Sequence, residues 1–224
     1  MIRAAVFDFD GVIVESADIK TDAFIRLFAE HEGHGEEIAA YLVANQGLSR
    51  YLKFQFIYEE ILDIPLSASD RDRLSVEFSR LVLDAILRCP FVPGARELLE
   101  RRHASMPLFI ASATPEQELH GIVRERELER FFEGVHGTPE TKAEILARLC
   151  RERGLRAEEV VFVGDQPSDV EGARIAGVPF IGRLAHAQSN PFPEEVRIVT
   201  DLAELDRDWD RLLVAASPPS RVTS

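Results

Sequence analysis

Cysteine is scarce in this sequence, and its scarcity excludes two kinds of small structural framework. The chain has 2 cysteines among 224 residues, Cys89 and Cys150, and they show no metal-ligand spacing. Both stand in apolar helical segments, where a buried thiol behaves as a small hydrophobic side chain. The sequence therefore predicts neither a disulfide scaffold nor a cysteine-based metal site.

Long apolar runs are also missing. No segment approaches the roughly 18 consecutive apolar residues that a membrane-spanning helix requires. The N-terminal stretch "MIRAAVFDFD" carries Asp8 and Asp10 where a secretory signal would carry its apolar segment. We predict a cytoplasmic protein without a membrane partner.

Positive charge is in deficit, and lysine is rare. The chain has 26 Lys and Arg against 39 Asp and Glu, a net charge of −13. Nucleic acids and anionic membranes bind basic surfaces, so we expect neither as a partner. A small anionic substrate stays compatible, because a few local cations or a metal can outweigh the global field. The only lysines are Lys20, Lys53 and Lys142, and such positions are candidates for a role that needs a compact ammonium.

What the sequence does contain is an alternation of short β-rich and helical segments. The β-rich segments lack the in-and-out pattern of half-exposed strands, which favours a sheet covered on both faces. The pattern predicts a doubly wound parallel α/β sheet of the Rossmann-like kind. The segments are "AAVFDF" (4–9), "PLFIAS" (107–112), "VVFVGD" (160–165) and "VPFIG" (178–182), with weaker candidates at "GVHGT" and "RIVT".

One long segment interrupts this alternation. From about Ser16 to Cys89 the sequence predicts four helices and no strand. We interpret residues 15–90 as a helical cap domain inserted into an α/β core of residues 1–14 and 91–216. The polar end of the chain, residues 217–224, is predicted to be a disordered tail.

Polar side chains stand at the ends of the predicted strands. Asp8 and Asp10 leave the first strand on the same side, because a strand has a period of two, and they repel each other unless a positive group lies between them. Ser112 ends the second predicted strand and Asp165 ends a later one. Parallel strands end at one edge of the sheet, which is where open α/β sheets bind ligands.

Lys142 and Asp169 extend this group. Lys142 opens a helix close to the same edge, and Asp169 lies one turn into the helix after Asp165. The group then comprises four carboxylates, one hydroxyl and one lysine. Its carboxylates suit Mg²⁺, which prefers oxygen ligands and commonly binds substrate phosphates. A carboxylate in such a site can attack phosphorus to form an aspartyl phosphate, and Gly11 lets the backbone turn tightly beneath the phosphate.

These motifs carry a resemblance to a known family. "DFDGV", "IASAT", the isolated Lys142 and "VGDQPSD" resemble, in this order, the four motifs of the haloacid dehalogenase superfamily, and the helical insertion resembles its C1-type cap. The resemblance implies an Mg²⁺-dependent phosphatase. Its expected partner is a small phosphorylated metabolite, a sugar phosphate or a phosphoglycolate-like ester, hydrolysed through an aspartyl phosphate.

The resemblance also implies roles for individual residues. Asp8 would be the nucleophile, and Asp10 would protonate the leaving group and then activate water. Asp8, the main-chain carbonyl of Asp10 and Asp165 would hold Mg²⁺, while Asp169 would act on the metal waters or on Lys142.

The remaining residues of the motifs would bind the phosphoryl group. Ser112 would donate to its oxygens, and Lys142 would pair with both the phosphoryl group and Asp8. Gly11 and Ala113 are expected to contribute to the same binding site.

The cap is expected to select the substrate. Lys20, Arg50 and Lys53 are its candidate substrate-binding residues, because cations on its inner face would favour a small anionic ester.

Two alternatives stay open. Val12 and "QGLSR" (46–50) resemble the β-phosphoglucomutase branch, but Lys20 and Gly164 depart from it where that branch carries a histidine and an acidic residue. The other alternative is a catalytically silent binding protein. The sequence predicts no oligomeric state.

Overall fold

The computed structural model describes residues 1–31, 33–185 and 190–214. Its centre is a parallel sheet of six strands in the order β3-β2-β1-β4-β5-β6. The predicted parallel α/β sheet is confirmed. The strands are β1 (Ala4–Phe7), β2 (Leu108–Pro115), β3 (Gly134–Thr138), β4 (Val160–Gly164), β5 (Phe180–Arg183) and β6 (Arg197–Val199).

Helices flank the sheet because its strands are apolar on both faces. Every residue of β1 and β4 is buried, so each face needs a covering layer. One such layer comes from two helices that contribute Ile145, Leu146 and Ala173 to a core with Phe109 and Phe162. The helices that follow β1 and its insertion in sequence are α5 (Ala95–Arg102), α6 (Glu116–Glu125), α7 (Lys142–Glu152), α8 (Pro167–Ala176), α9 (Leu202–Arg207) and α10 (Trp209–Val214).

Successive strands are added on one side of β1 and then on the other side, although all of them are parallel. The chain runs from β1 to β2 and β3 on one side, and then returns to β4, β5 and β6 on the other. At such a switch point the connections diverge and leave a crevice beyond the carboxyl ends of the strands. Asp8 follows β1 at this point, and its backbone N–H donates to the carbonyl of Val163 in β4 (2.9 Å).

Residue contacts divide the chain into two units. The α/β unit comprises Met1–Glu15 and Pro90–Ser224, and the helical unit comprises Ser16–Cys89. These bounds differ by one residue at each junction from the predicted ones. The predicted tail at 217–224 lies outside the described residues.

The helical unit has an aromatic core. The rings of Phe24 and Phe78 pack with centroids 4.2 Å apart, and Phe54 packs 5.5 Å from Phe24. All three rings are buried, so burial of their apolar surface stabilises the unit. Its helices are α1 (Ala17–Leu27), α2 (Gly35–Ala44), α3 (Arg50–Phe56), a π-helical segment (Ile57–Ile61) and α4 (Ala68–Arg88). No described helix combines the length and the apolar character needed to cross a membrane.

Two local features differ from the sequence prediction. The sequence "PEQELHGIVRERELERF" (115–131) predicts one helix, but α6 ends at Glu125 because Glu127 takes a left-handed conformation (φ 58°) and a short 3₁₀ helix follows. Strand β2 continues past Ser112 to Pro115, with an irregular register against β3 between Ala111 and Pro115. Local sequence patterns predict neither the end of α6 nor the extension of β2, since both depend on packing with neighbouring elements.

Candidate active site

Asp8 lies directly after β1 and is almost fully buried (4% exposed). Its Oδ1 accepts a hydrogen bond from the backbone N–H of Phe9 (2.6 Å), and its Oδ2 accepts one from Lys142 Nζ (2.7 Å). Burial raises the pKa of Asp8 to about 7, against a lowering by the charge of Lys142 and a further rise from Asp169 and Asp10. The side chain is thus fixed in direction, and its ionised form depends on nearby positive charge.

Lys142 supplies part of that charge from the first residue of α7. The helix begins there because Thr141 caps it: the Thr141 hydroxyl accepts from Glu144 N, and the Glu144 carboxylate accepts from Thr141 N. The buried ammonium donates to Asp8 and also to Asp169 Oδ1. Burial alone would lower the pKa of Lys142, but the carboxylates of Asp169 and Asp8 raise it above its ordinary value, so this lysine is cationic.

Asp169 is held by the first turn of α8. Its Oδ2 accepts hydrogen bonds from the backbone N–H groups of Asp165 (3.1 Å) and Gln166 (2.9 Å), while Oδ1 faces Lys142. The carboxylate is completely buried. Asp169 therefore orients Lys142 and the β4–α8 loop at the same time.

The carboxylate of Asp165 has fewer hydrogen-bond partners among the described residues than those of Asp8 and Asp169. Its Oδ2 accepts from Gln166 Nε2 (2.8 Å), but its buried Oδ1 has no hydrogen-bond partner among the described residues. Burial, followed by the charges of Asp8 and Asp169, raises the pKa of Asp165 well above its ordinary value. An orphaned buried carboxylate oxygen beside other carboxylates is the environment that a cation relieves.

These observations fit a divalent metal site. One carboxylate oxygen from each of Asp8, Asp165 and Asp169 lies within 4.8 Å of the others. An all-oxygen donor set suits a hard cation such as Mg²⁺. The backbone of Gly11 passes close to this cluster with φ 78°, and a Cβ there would lie 2.2 Å from Asp165 Oδ2. Only glycine leaves room for the Asp165 carboxylate at this turn.

Ser112 and Asp10 are brought together through a residue that sequence reasoning missed. Ser112 Oγ donates to Thr114 Oγ1 (3.2 Å), and Thr114 Oγ1 donates to Asp10 Oδ2 (3.1 Å). The spacing Ser-x-Thr on a strand was an available signal, because residues two apart share one face. Ala113 lies between them, and its carbonyl accepts from Thr138 Oγ1 (2.9 Å) on β3.

Arg183 is a second residue that sequence reasoning missed. From the end of β5 its guanidinium donates to the carbonyl of Gly11 (3.0 Å) and to both carboxylate oxygens of Glu15 (2.6 and 3.0 Å). Its Nε donates to the carbonyl of Thr200 (3.1 Å). A cation that ends an otherwise apolar strand was the available signal.

The predicted substrate-binding cations lie in the helical unit. Lys20 is half-buried on α1, and Arg50 and Lys53 are buried on α3. Arg50 donates to Ser79 Oγ (2.6 Å) and lies over the Phe78 ring (4.7 Å). Lys53 donates to the carbonyl of Gln46 (2.8 Å). Their role towards substrate stays a prediction.

Comparison with known proteins places the chain in a family. The model of the haloacid dehalogenase-like hydrolases matches residues 5–183. The chain belongs to this family. The prediction of a haloacid dehalogenase-like enzyme is thereby confirmed.

Relatives of the haloacid dehalogenase-like family cover most of the chain. A phosphoglycolate phosphatase of Synechococcus elongatus is 28% identical over 181 residues, which are 79% of this chain and 81% of the relative. A phosphorylated carbohydrates phosphatase of Thermotoga maritima is 27% identical over 199 residues, 83% of this chain and 87% of the relative. A hydrolase structure from Pseudomonas syringae is similar at a TM-score of 0.77 and 19% identity, covering 93% of this chain and 98% of that one, which shows the shared fold.

Proposed function

We propose that this phosphatase of the haloacid dehalogenase-like family hydrolyses a small phosphate monoester with Mg²⁺ and through an aspartyl phosphate on Asp8. The observation that supports the proposal most strongly is the cluster of Asp8, Asp165 and Asp169 carboxylates, with Lys142 Nζ 2.7 Å from Asp8 Oδ2. A buried nucleophile, a fixed cation and a metal-binding set of oxygens are the parts that phosphoryl transfer requires.

Asp8 attacks phosphorus through a carboxylate oxygen, so it must be ionised when substrate binds. Without a metal, a pKa of about 7 leaves Asp8 partly protonated near neutral pH, so a bound cation would favour its reactive, ionised form. Mg²⁺, held by Asp8, Asp165 and the Asp10 carbonyl, would neutralise charge on the phosphoryl oxygens. Lys142 contributes to the same neutralisation. Asp169 accepts a hydrogen bond from the Lys142 ammonium and thereby holds it beside Asp8.

Asp10 donates a proton in the first half-reaction and accepts one in the second. As Asp8 bonds to phosphorus, the ester P–O bond breaks and the leaving oxygen takes a proton from Asp10. A water then attacks the aspartyl phosphate, gives its proton to Asp10, and releases inorganic phosphate with Asp8 regenerated. Ser112 donates to a phosphoryl oxygen, and the backbone at Gly11 and Ala113 completes that binding site.

The proposed substrate class is a small anionic ester, either a phosphoglycolate-like acid or a sugar phosphate. The phosphoglycolate phosphatase of Synechococcus elongatus and the phosphorylated carbohydrates phosphatase of Thermotoga maritima support this class. We propose that Lys20, Arg50 and Lys53 select it through their positive charge. In a chain with a net charge of −13, such local cations would offset the repulsion of an anionic substrate.

The test is phosphate release from a panel of small esters, with Mg²⁺ and with EDTA. Phosphoglycolate, hexose phosphates and pentose phosphates form the panel, and wild type is compared with Asp8→Asn. The matched control is Asp210→Asn, which makes the same substitution at an exposed aspartate on α10. We expect Mg²⁺-dependent release that EDTA and Asp8→Asn abolish and that the control retains.

Other outcomes of this panel would contradict the proposal. Release that survives Asp8→Asn would rule out the aspartyl phosphate. Isomerisation of a labelled hexose phosphate faster than its loss of phosphate would replace hydrolysis by the mutase alternative.

A further inference from the structure

Thr114 is a buried hydroxyl with a defined place in the site, although neither motif spacing nor the proposed chemistry assigns it a task. It is 2% exposed and lies near the end of β2. Its Oγ1 donates to Asp10 Oδ2 (3.1 Å) and accepts from Ser112 Oγ (3.2 Å). The hydroxyl therefore joins the residue that binds phosphate to the residue that moves the proton.

The direction of these hydrogen bonds follows from the groups themselves. A threonine hydroxyl has one proton to donate, and a carboxylate can only accept. Because the Thr114 hydroxyl donates its proton in the hydrogen bond to Asp10 Oδ2, its oxygen acts as the acceptor in the hydrogen bond from Ser112 Oγ. The Thr114 backbone N–H in turn donates to Ser112 Oγ (3.2 Å), which closes a small ring between the two residues.

The backbone under Thr114 is held from the neighbouring strand. Thr138 Oγ1 on β3 donates to the carbonyl of Ala113 (2.9 Å). Gly137 passes so close that a Cβ there would lie 2.3 Å from the Thr114 carbonyl oxygen. The hydroxyl of Thr114 is thus presented to Asp10 by a fixed part of the sheet rather than by a loop.

We propose that Thr114 is a positioning residue for the acid and base Asp10. Its hydrogen bond to Oδ2 fixes the orientation of the Asp10 carboxyl group, which gives a proton to the leaving oxygen and later takes one from water. This inference rests on the proposed function, because it assigns Thr114 a task only if Asp10 moves a proton.

Leaving groups separate this role from a structural one. An alkyl phosphate needs a proton on its leaving oxygen, whereas acetyl phosphate and 4-nitrophenyl phosphate expel stable anions that need little help from an acid. The measured quantity is kcat/KM, which covers the steps up to breakage of the ester bond and excludes hydrolysis of the aspartyl phosphate. The alkyl substrate is the best ester of the panel, and the activated substrate is whichever of the two is hydrolysed faster.

Thr114→Val removes the hydroxyl and keeps the shape, and Thr114→Ser keeps the hydroxyl. We expect Thr114→Val to lower kcat/KM for the alkyl ester by about tenfold or more and for the activated ester by less than about threefold, since one hydrogen bond to an acid catalyst is lost. Thr114→Ser should stay within about threefold of wild type for both. In an Asp10→Asn background, Thr114→Val should add less than about twofold.

Equal losses for the two esters, or failure of Thr114→Ser to retain activity, would overturn the inference. If Thr114→Val does not fold, Thr114→Ala provides the same comparison with a smaller side chain. Failure of the proposed function has a different signature: wild type releases no phosphate, or Asp8→Asn keeps its activity. A hydrolytic wild type with an inactive Asp8→Asn and an unaffected Thr114→Val would reject the role of Thr114 alone.

Discussion

The described contacts of the buried cations differ between the two units of this chain. In the α/β unit, the ammonium of Lys142 meets the carboxylates of Asp8 and Asp169. In the helical unit, Arg50 donates to a hydroxyl and a carbonyl and lies over a phenyl ring, and Lys53 donates to a carbonyl and lies over the Phe24 ring. A cation paired with carboxylates is coupled to their protonation and reactivity, whereas a contact between a cation and a hydroxyl, a carbonyl or a phenyl ring involves no partner that titrates near neutral pH.

The comparison also concerns distance along the chain. Lys142 is 134 residues from Asp8 and 27 from Asp169, so the charged cluster exists only when the sheet is complete. Lys53 reaches the Gln46 carbonyl from 7 residues away. Disturbing the first contact should therefore change chemistry, and disturbing the second should change mainly local stability and substrate preference.

The largest effect is expected from Lys142→Met, which removes the cation and leaves two buried carboxylates without it. We expect kcat to fall by at least about a thousandfold, because Asp8 is then mostly protonated and phosphoryl charge is no longer neutralised. The free energy of unfolding should fall by about 3–5 kcal/mol. Steady-state kinetics and urea denaturation measure the two effects. Lys142→Arg is the matched control, and full activity in it would show that any cation suffices.

The second effect is a pH dependence of the metal-free protein. The pKa of Asp8 rises from 3.8 to about 7 on folding, so between these values the folded chain keeps a proton that the unfolded chain releases. The free energy of unfolding in EDTA should therefore fall as pH rises from about 4 to about 7, by about 2–4 kcal/mol. Asp8→Asn should reduce this dependence, and the raised pKa of Asp165 should leave part of it. Stability that increases over the same range would contradict the rise in the pKa of Asp8 on folding.

Gly11→Ala tests the close approach between the turn and Asp165. The added Cβ meets Asp165 Oδ2 at 2.2 Å and the φ of 78° is strained for alanine. We expect Mg²⁺ affinity, measured by activity against metal concentration, to weaken by about 10- to 100-fold because the Asp165 carboxylate is displaced. Gly154→Ala is the control, since φ there is 59° but nothing lies within 4 Å of the new Cβ. Equal metal affinity in the two variants would remove Asp165 from the metal site.

The smallest effects should come from the helical unit. Arg50→Gln should raise KM for the best ester by about threefold to tenfold and lower the free energy of unfolding by about 1–2 kcal/mol, through the lost bond to Ser79 and the lost contact with Phe78. Arg80→Gln on the exposed face of α4 is the matched control. Lys20→Ala should raise KM without the loss of stability. If KM and turnover stay unchanged in both variants, selection by these cations is wrong.

The sheet was predictable because its strands are short, apolar and bounded by turns. All six predicted strands are present, including the weaker candidates "GVHGT" and "RIVT". Asp8, Lys142 and Asp169 could be predicted to meet because parallel strands end at one edge. Topology brings these residues to one edge of the sheet, and the Thr141 cap of α7 and the first turn of α8 then orient the side chains of Lys142 and Asp169.

The parts that escaped prediction depend on packing between strands or helices. The extension of β2 through Thr114 to Pro115 reflects pairing with Thr138 on β3. The role of Arg183 in binding Gly11 and Glu15 depends on a contact over more than 160 residues. The position of this arginine at the end of an apolar strand signals a buried cation, but it does not identify the partners, which are backbone carbonyls and a distant carboxylate.

The junction around Glu15 has a consequence for how such proteins diversify. The N–H of Glu15 donates to the Pro90 carbonyl (3.0 Å), the N–H of Val92 donates to the Ile13 carbonyl (3.0 Å), and Arg183 fastens Glu15 to the sheet. The α/β unit therefore closes on itself at the two points where the helical segment leaves and rejoins it. Because the entropic cost of closing a loop grows only slowly with its length, the inserted segment can be lengthened, shortened or exchanged during evolution while Asp8 keeps its surroundings.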